Sequence, residues 1–244
     1  MLDDMVIKQG NPRAGGPTGA ASLERRRLVR RLVDRAGATY AAQAGVRLVD
    51  KPAALYQLLV LAQLMSTRIS SDVAVAAARE LWAVRLTTAA RVRDADHQDV
   101  VAALGRARYR RYDQITATRL IAAAGLVVDW YGGDLRRLGH EAEHDVRHAA
   151  RLLEEFPGIG PVGARIFLRE AQHVWPWLRP YADERVLDSA NDLGLPHDVD
   201  ELVSLAGRKD LSSLSAALVH VSLDRRLRAV VVDEEVLDAK VLDS

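Results

Sequence analysis

Apolar residues recur along most of this chain at helical spacing, and convincing strand alternation is missing. Residues 22–43, SLERRRLVRRLVDRAGATYAAQ, open on Ser22 as an N-cap and place Leu23, Leu28, Leu32 and Val33 on one side. They predict an amphipathic helix with a basic outer face, to be read as solvated or as touching phosphate. Residues 51–65, KPAALYQLLVLAQLM, are apolar almost all round and predict a buried helix. STRIS at 66–70 interrupts it, and a Ser/Asp cap opens a further helix over 71–84. Residues 92–105 predict a helix closed by Gly105, and 113–133 a long amphipathic one ending on Gly132-Gly133. Helices are also predicted on either side of Pro157-Gly158-Ile159-Gly160-Pro161, and over 184–195, 199–207 and 211–227. The stretch from Ala229 onward, AVVVDEEVLDAKVL, fits a strand or a helix equally. The pattern as a whole predicts an all-α protein of nine or ten helices with short connections and no internal repeat.

Composition then narrows the function classes. At 244 residues, 49% hydrophobic and 27% charged, the chain can bury one sizeable core or two smaller ones. A net charge of +1 does not announce a nucleic-acid binder, so local clusters must carry any such reading. No cysteine is present, which excludes disulfides, thiolate zinc sites, cysteine nucleophiles and iron–sulfur clusters. Neither a signal-like N-terminus nor an apolar run long enough for a bilayer is found, so no membrane partner and a cytoplasmic location are expected. Residues 8–22 are rich in Gly and Pro and are expected to be disordered or loosely attached.

The sharpest local feature is the turn PGIGP at 157–161. Glycine admits positive φ and close backbone approach, and proline suits the first turn of a helix. The free N–H groups of such a turn can form a small anion nest, reachable by a phosphate because 158 and 160 carry no side chain. A tight helical hairpin would require the same residues for geometry alone.

In its wider setting, FPGIGPVGARIFL resembles the helix–hairpin–helix of the endonuclease III-like superfamily of DNA glycosylases. PYADERVLDSANDLGLP is similar to that family's aspartate segment, with Asp183 opening a helix about twenty residues later. LLVLAQLMSTRISSDVAVAAARELW and YRRYDQITATRLIAAAGLVVDWYGGDLRRL resemble the segments that precede the hairpin, so the likeness runs in order from about residue 52 to residue 223. The resemblance implies two helical domains flanking a cleft. Residues 51–150 would form the central domain, 22–50 and 151–227 the other, with 1–21 a disordered segment and 228–244 a tail. It implies double-stranded DNA as partner, a monomer, no cofactor and no metal. Asp183 would be catalytic, stabilising the charge that builds on the sugar and orienting a water, or would serve as a helix N-cap, or both. Gly158, Ile159, Gly160, Val162 and Gly163 would hold a phosphate. Gly163 and Ala164, both small, would also let the hairpin helix pack close to its neighbour.

Three departures from the family pattern matter. Val162 stands where bifunctional members carry a nucleophilic lysine, so lyase activity by a Schiff base is not expected, while hydrolysis by water remains open and so does loss of catalysis. The iron–sulfur cysteines are absent. Arg68 occupies the STRIS turn, where relatives often place a glutamine that fills the gap left by an extruded base. It would stack and donate there, or pair with an acidic neighbour. Arg165, and Arg169 one turn on, would flank DNA or be solvated. RARYRRY sets Arg110 and Arg111 among Tyr109 and Tyr112, a pattern suited to a nucleic-acid backbone or to a solvated surface. Of the tryptophans, Trp175 and Trp177 lie between the hairpin helix and Asp183, where one could line a base pocket, although core positions are the simpler reading.

A competing motif is HEAEH at 140–144, which matches the spacing of a zinc-protease helix. Its surroundings are polar nearly throughout, which fits a surface segment with chance histidine spacing.

Overall fold

A computed structural model describes residues 19–207 and 210–232, and these are all-α, with no strand among them. The helices are α1 (Gly19–Ala36), α2 (Tyr40–Gln43), α3 (Pro52–Met65), α4 (Ser71–Ala83), α5 (Ala89–Arg93), α6 (His97–Arg106) and α7 (Asp113–Tyr131). They continue as α8 (Arg136–Glu141), α9 (Val146–Glu154), α10 (Pro161–Ala171), α11 (Glu184–Asn191), α12 (Val199–Ala206) and α13 (Leu211–Leu223). A single 3₁₀ turn spans Pro176–Leu178, and residues 225–232 are again helical.

Short polar side chains start many of these helices, because their oxygens satisfy amides that have no partner inside the helix. Thr39, Ser70, Thr88, Asp96, Asp145, Asp183 and Asp198 each accept from a backbone N–H in the first turn. Proline opens α3 and α10, where its missing donor costs nothing. Gly132 closes α7 in the left-handed region at φ 60°.

Several boundaries differ from those expected. α1 begins at Gly19, so Ser22 lies inside the helix, and the expected disordered segment 1–21 falls for the rest outside the described residues. The stretch 92–105 is two helices, because Asp96 caps a new one after a break at Asp94–Ala95, and Gly105 sits within α6. The ambiguous sequence from Ala229 is helical as far as 232, where Val231 is fully buried, and the remainder of the expected tail lies outside the described residues.

α1 packs against α12 and α13, and α11 also packs on α13. α3, α4, α6, α7 and α5 pack in a second chain of neighbours. α10 touches both groups, meeting α3 along one side and α13 along another. The buried apolar residues of both groups join in one continuous core, with α3 buried along most of its length.

Candidate functional site

The turn between α9 and α10 is held from behind by α3. The Gln63 side-chain amide donates to Pro157 O at 2.5 Å. Gly158 adopts φ +87°, and a Cβ there would press on Arg119 Cδ and Gln63 Nε2, both at 3.1 Å. The positive φ favours glycine at 158, and a side chain there would also have to displace Gln63 and Arg119. Gly160 is extended, at φ −114° and ψ −170°, and a Cβ there would meet open space. The first bond of α10 runs from Ala164 N to Gly160 O at 3.0 Å, so the amides of Gly160, Val162 and Gly163 take no backbone partner.

Two of the residues expected to hold phosphate do other work. Ile159 donates its amide to Phe156 O at 3.0 Å and buries its side chain in the core. Gly163 is buried against α3, where a Cβ would overlap Ser66 Oγ, so its small size serves the close approach of the two helices. Val162 is 53% exposed on the first turn of α10.

Val162 and Asp183 line the same cavity, a groove of about 690 Å³ between α10, α11, the 66–70 turn and the end of α13. Asp183 caps α11, its Oδ1 accepting from Val186 N at 3.1 Å. Its Oδ2 accepts from Arg169 Nη1 at 2.5 Å, and the two side chains are 3% and 6% exposed. Arg169 is therefore buried, while Arg165, one turn earlier, is exposed on the cavity wall. Next to Arg169, the Glu170 carboxylate accepts from Tyr40 N at 2.7 Å and Ala41 N at 2.8 Å, capping α2 from 130 residues away in sequence. Burial pushes the Glu170 pKa up, against the opposing pull of those two amides and of Arg169. Gln172 spans the bend that carries the chain back to Asp183, donating to Arg169 O and Tyr181 O, both at 2.9 Å. The Tyr181 phenol, half-buried and close to the Asp183 charge, is pushed up to about 12.

Of the basic residues expected at DNA or in solvent, Arg68, Arg110, Arg111 and Arg165 are exposed, whereas Arg169 is buried by its pairing with Asp183. Arg68 stands on the 66–70 turn, and Arg110 and Arg111 follow α6, with Arg111 5.4 Å from the centre of the Tyr112 ring. Tyr109 departs from its expected surface role. It is fully buried, and its hydroxyl lies 2.8 Å from Thr67 Oγ1 and 3.3 Å from Leu64 O. It ties the 66–70 turn to the arginine run. Arg119 was not singled out from the sequence, yet its side chain packs beside Gly158.

HEAEH does not form a continuous helix. α8 ends at Glu141, and Glu143 and His144 follow at φ 52° and 59°. The His140 and His144 rings lie 5.6 Å apart, and among the described residues no group of three or more His, Asp or Glu is arranged to hold a metal. His144 leans on Trp177, which stacks on the buried Trp175 with centres 5.3 Å apart. These rings line a second cavity of about 470 Å³, separate from the one that holds Asp183.

Sequence reasoning missed Arg169, Glu170 and Tyr40 as parts of the Asp183 cavity region. The available signal was an Arg-Glu pair inside the apolar run RIFLREA. No protein-family model and no curated protein matches this chain, so the family resemblance rests on its own motifs.

Proposed function

We propose that the protein is a monofunctional DNA N-glycosylase, which hydrolyses the bond between a damaged or mispaired base and its sugar. One observation carries this reading: the Asp183 carboxylate lies on a cavity wall shared with Val162, in the first turn of the helix that follows the glycine bend. A phosphate held at the free amides of 160, 162 and 163 would bring an extruded nucleotide to that wall. Breaking the N-glycosidic bond builds positive charge on the sugar, and a fixed carboxylate stabilises it and orients water. Val162 offers no amine, so no Schiff base forms there.

A second reading, a DNA-binding module of the same fold without catalysis, is favoured by the Arg169–Asp183 ion pair. A guanidinium on one oxygen and the Val186 amide on the other leave less negative field for a developing cation.

Purified protein incubated with duplexes bearing different damaged bases, then treated with alkali, separates the two. Strand cleavage that requires alkali and disappears in Asp183→Asn supports the glycosylase. Retention of duplex without cleavage, unchanged in Asp183→Asn, supports the binding module.

A further inference from the structure

Gln172 lies one residue past the end of α10, at 1% exposure, and its amide makes three hydrogen bonds. Nε2 donates to Arg169 O and to Tyr181 O, both at 2.9 Å, and Oε1 accepts from Tyr181 N at 3.3 Å. The bond to Arg169 O serves the last turn of α10, where carbonyls lack partners inside the helix. The two bonds to Tyr181 go further than a helix end requires. They reach nine residues onward, across the connection that contains the 3₁₀ turn. Arg179 braces the same connection, its Nε donating to Gln172 O at 2.5 Å and its Nη2 to His173 O.

The residues that Gln172 joins frame the buried ion pair. Arg169 supplies the guanidinium, and Tyr181 stands two residues before Asp183, which supplies the carboxylate. The bonds therefore close a ring. It runs from the Arg169 backbone to the Gln172 amide, on to Tyr181, along the chain to Asp183, and through the ion pair back to Arg169. No side-chain nitrogen or oxygen of Arg169, Gln172 or Asp183 is a buried atom left without a partner. Buried polar networks satisfied in this way are rigid. An amide suits the position because it offers two donors and an acceptor on one planar group. A carboxylate there would aim a second acceptor at two carbonyls. α10 joins this ring to the other half of the site, with the free amides of Val162 and Gly163 in its first turn and Arg169 in its last.

We propose that Gln172 is a positioning residue for Asp183, fixing where the carboxylate stands relative to a phosphate held at the glycine bend. This inference rests on the glycosylase reading above. Gln172 is buried and does not line the Asp183 cavity, so it touches no substrate. It acts through Asp183, because a reacting group displaced by about 1 Å can lose a hundredfold in rate.

The test compares Gln172→Met, which keeps most of the volume and removes all three bonds, with Gln172→Glu, which keeps the acceptor alone. Thr88→Ala removes the cap of α5, a helix that packs on α7, and so lowers stability without touching the ring. Single-turnover base release and duplex affinity are measured with duplexes bearing uracil, 8-oxoguanine or 7-methylguanine, at a temperature where every variant is folded. Both Gln172 variants should release the base that wild type releases about ten- to a hundredfold more slowly. Their affinity for that duplex should match wild type, because the free amides and exposed arginines are unchanged, and Thr88→Ala should keep the wild-type rate. If Gln172→Glu does not fold, Gln172→Met alone decides. Wild-type rates in the folded Gln172 variants, or an equal slowing in Thr88→Ala, overturn the positioning role and leave the glycosylase reading standing. A wild-type protein that releases none of the three bases overturns the positioning role together with that reading.

Discussion

The two cavities of this protein handle their charged residues differently: the first sets a buried ion pair among exposed charges, and the second holds largely exposed charges beside two tryptophans. Behind the Asp183 wall the charges are buried and partnered, Asp183 with Arg169 and Glu170 with two backbone amides, while Arg165, Glu184, Arg185, Asp188 and Asp192 line the same cavity exposed. Around Trp175 and Trp177 the charges are fewer and largely exposed, and the ion pair among the described residues there, Arg136–Asp134, is 42% and 20% exposed. The sequence text is richer at the second, with HEAEH and adjacent arginines. The physics is stronger at the first, because charges removed from water interact far more strongly than charges left in it.

The largest way to break this contrast is to remove one partner from each pair. Arg169→Ala should lower unfolding stability by about 3–5 kcal/mol, since it leaves a buried carboxylate uncompensated. Arg136→Ala should leave the unfolding midpoint close to that of the wild type, because its ion pair is exposed and screened. Urea midpoints measure both. Similar losses for the two variants would show that burial does not separate the sites, while Arg169→Met combined with Asp183→Leu should recover most of the first loss.

A smaller effect distinguishes the two ends of the hairpin. Gly163→Ala forces a methyl group onto Ser66 Oγ and should cost about 1–3 kcal/mol by overpacking. Gly160→Ala points into open space and should stay within about 0.5 kcal/mol. Adding Ser66→Ala to Gly163→Ala should restore part of the loss, and thermal unfolding of the three variants checks it. A Gly160→Ala variant as unstable as Gly163→Ala would contradict the packing described here.

Much of the fold was legible because its determinants are local. Ser70 and Asp183 announce helix starts, Gly132 announces an end, and the apolar run of α3 announces burial. The site was legible only in part. Arg165 and Arg169 lie one turn apart on the same helix, and periodicity assigns them the same fate. Asp183 arrives from another segment and draws only the second into the interior. Glu170 finds its amides 130 residues earlier, a pairing no local pattern encodes. Tyr109 was hidden by its neighbours: four arginines suggest surface, yet the ring between them is fully buried. HEAEH misled for the reverse reason. Helical spacing was present, but two left-handed residues without a glycine end the helix inside it.

Acid titration sharpens the same comparison, with a smaller effect and opposite signs at the two sites. Glu170 has its folded-state pKa raised by burial, so the folded state binds more protons than the unfolded one just above the ordinary carboxylate range. Its contribution makes stability fall as pH rises through that window. Asp134 has its pKa lowered, first by the Arg136 hydrogen bond, so its contribution is present above the ordinary range and is lost as pH falls through the folded value. Neither slope can exceed about 1.4 kcal/mol per pH unit for a single group. Urea midpoints measured across acid pH for wild type, Glu170→Gln and Asp134→Asn should show the slopes diverging in opposite directions. Slopes that shift the same way in both variants would remove the distinction between the sites.

The smallest effect concerns the surface and belongs to the DNA reading. Arg68, Arg110 and Arg119 are exposed and have no carboxylate partner among the described residues, whereas Arg136 is engaged by Asp134. Tyr109 joins the turn that carries Arg68 to the run that carries Arg110, and Gly158 lies against Arg119, and the DNA reading assigns all three to the phosphate backbone. Each alanine substitution there should reduce the salt dependence of duplex affinity by about one unit of slope, since each removes one phosphate contact and its released counterion. Arg136→Ala should leave the slope unchanged, because its charge is already offset. Fluorescence anisotropy with an undamaged duplex at several salt concentrations reads the slopes directly. A slope that drops for Arg136→Ala as much as for Arg68→Ala would mean that duplex binds the wrong face, and that the free amides at 160, 162 and 163 are structural ends of a helix and nothing more.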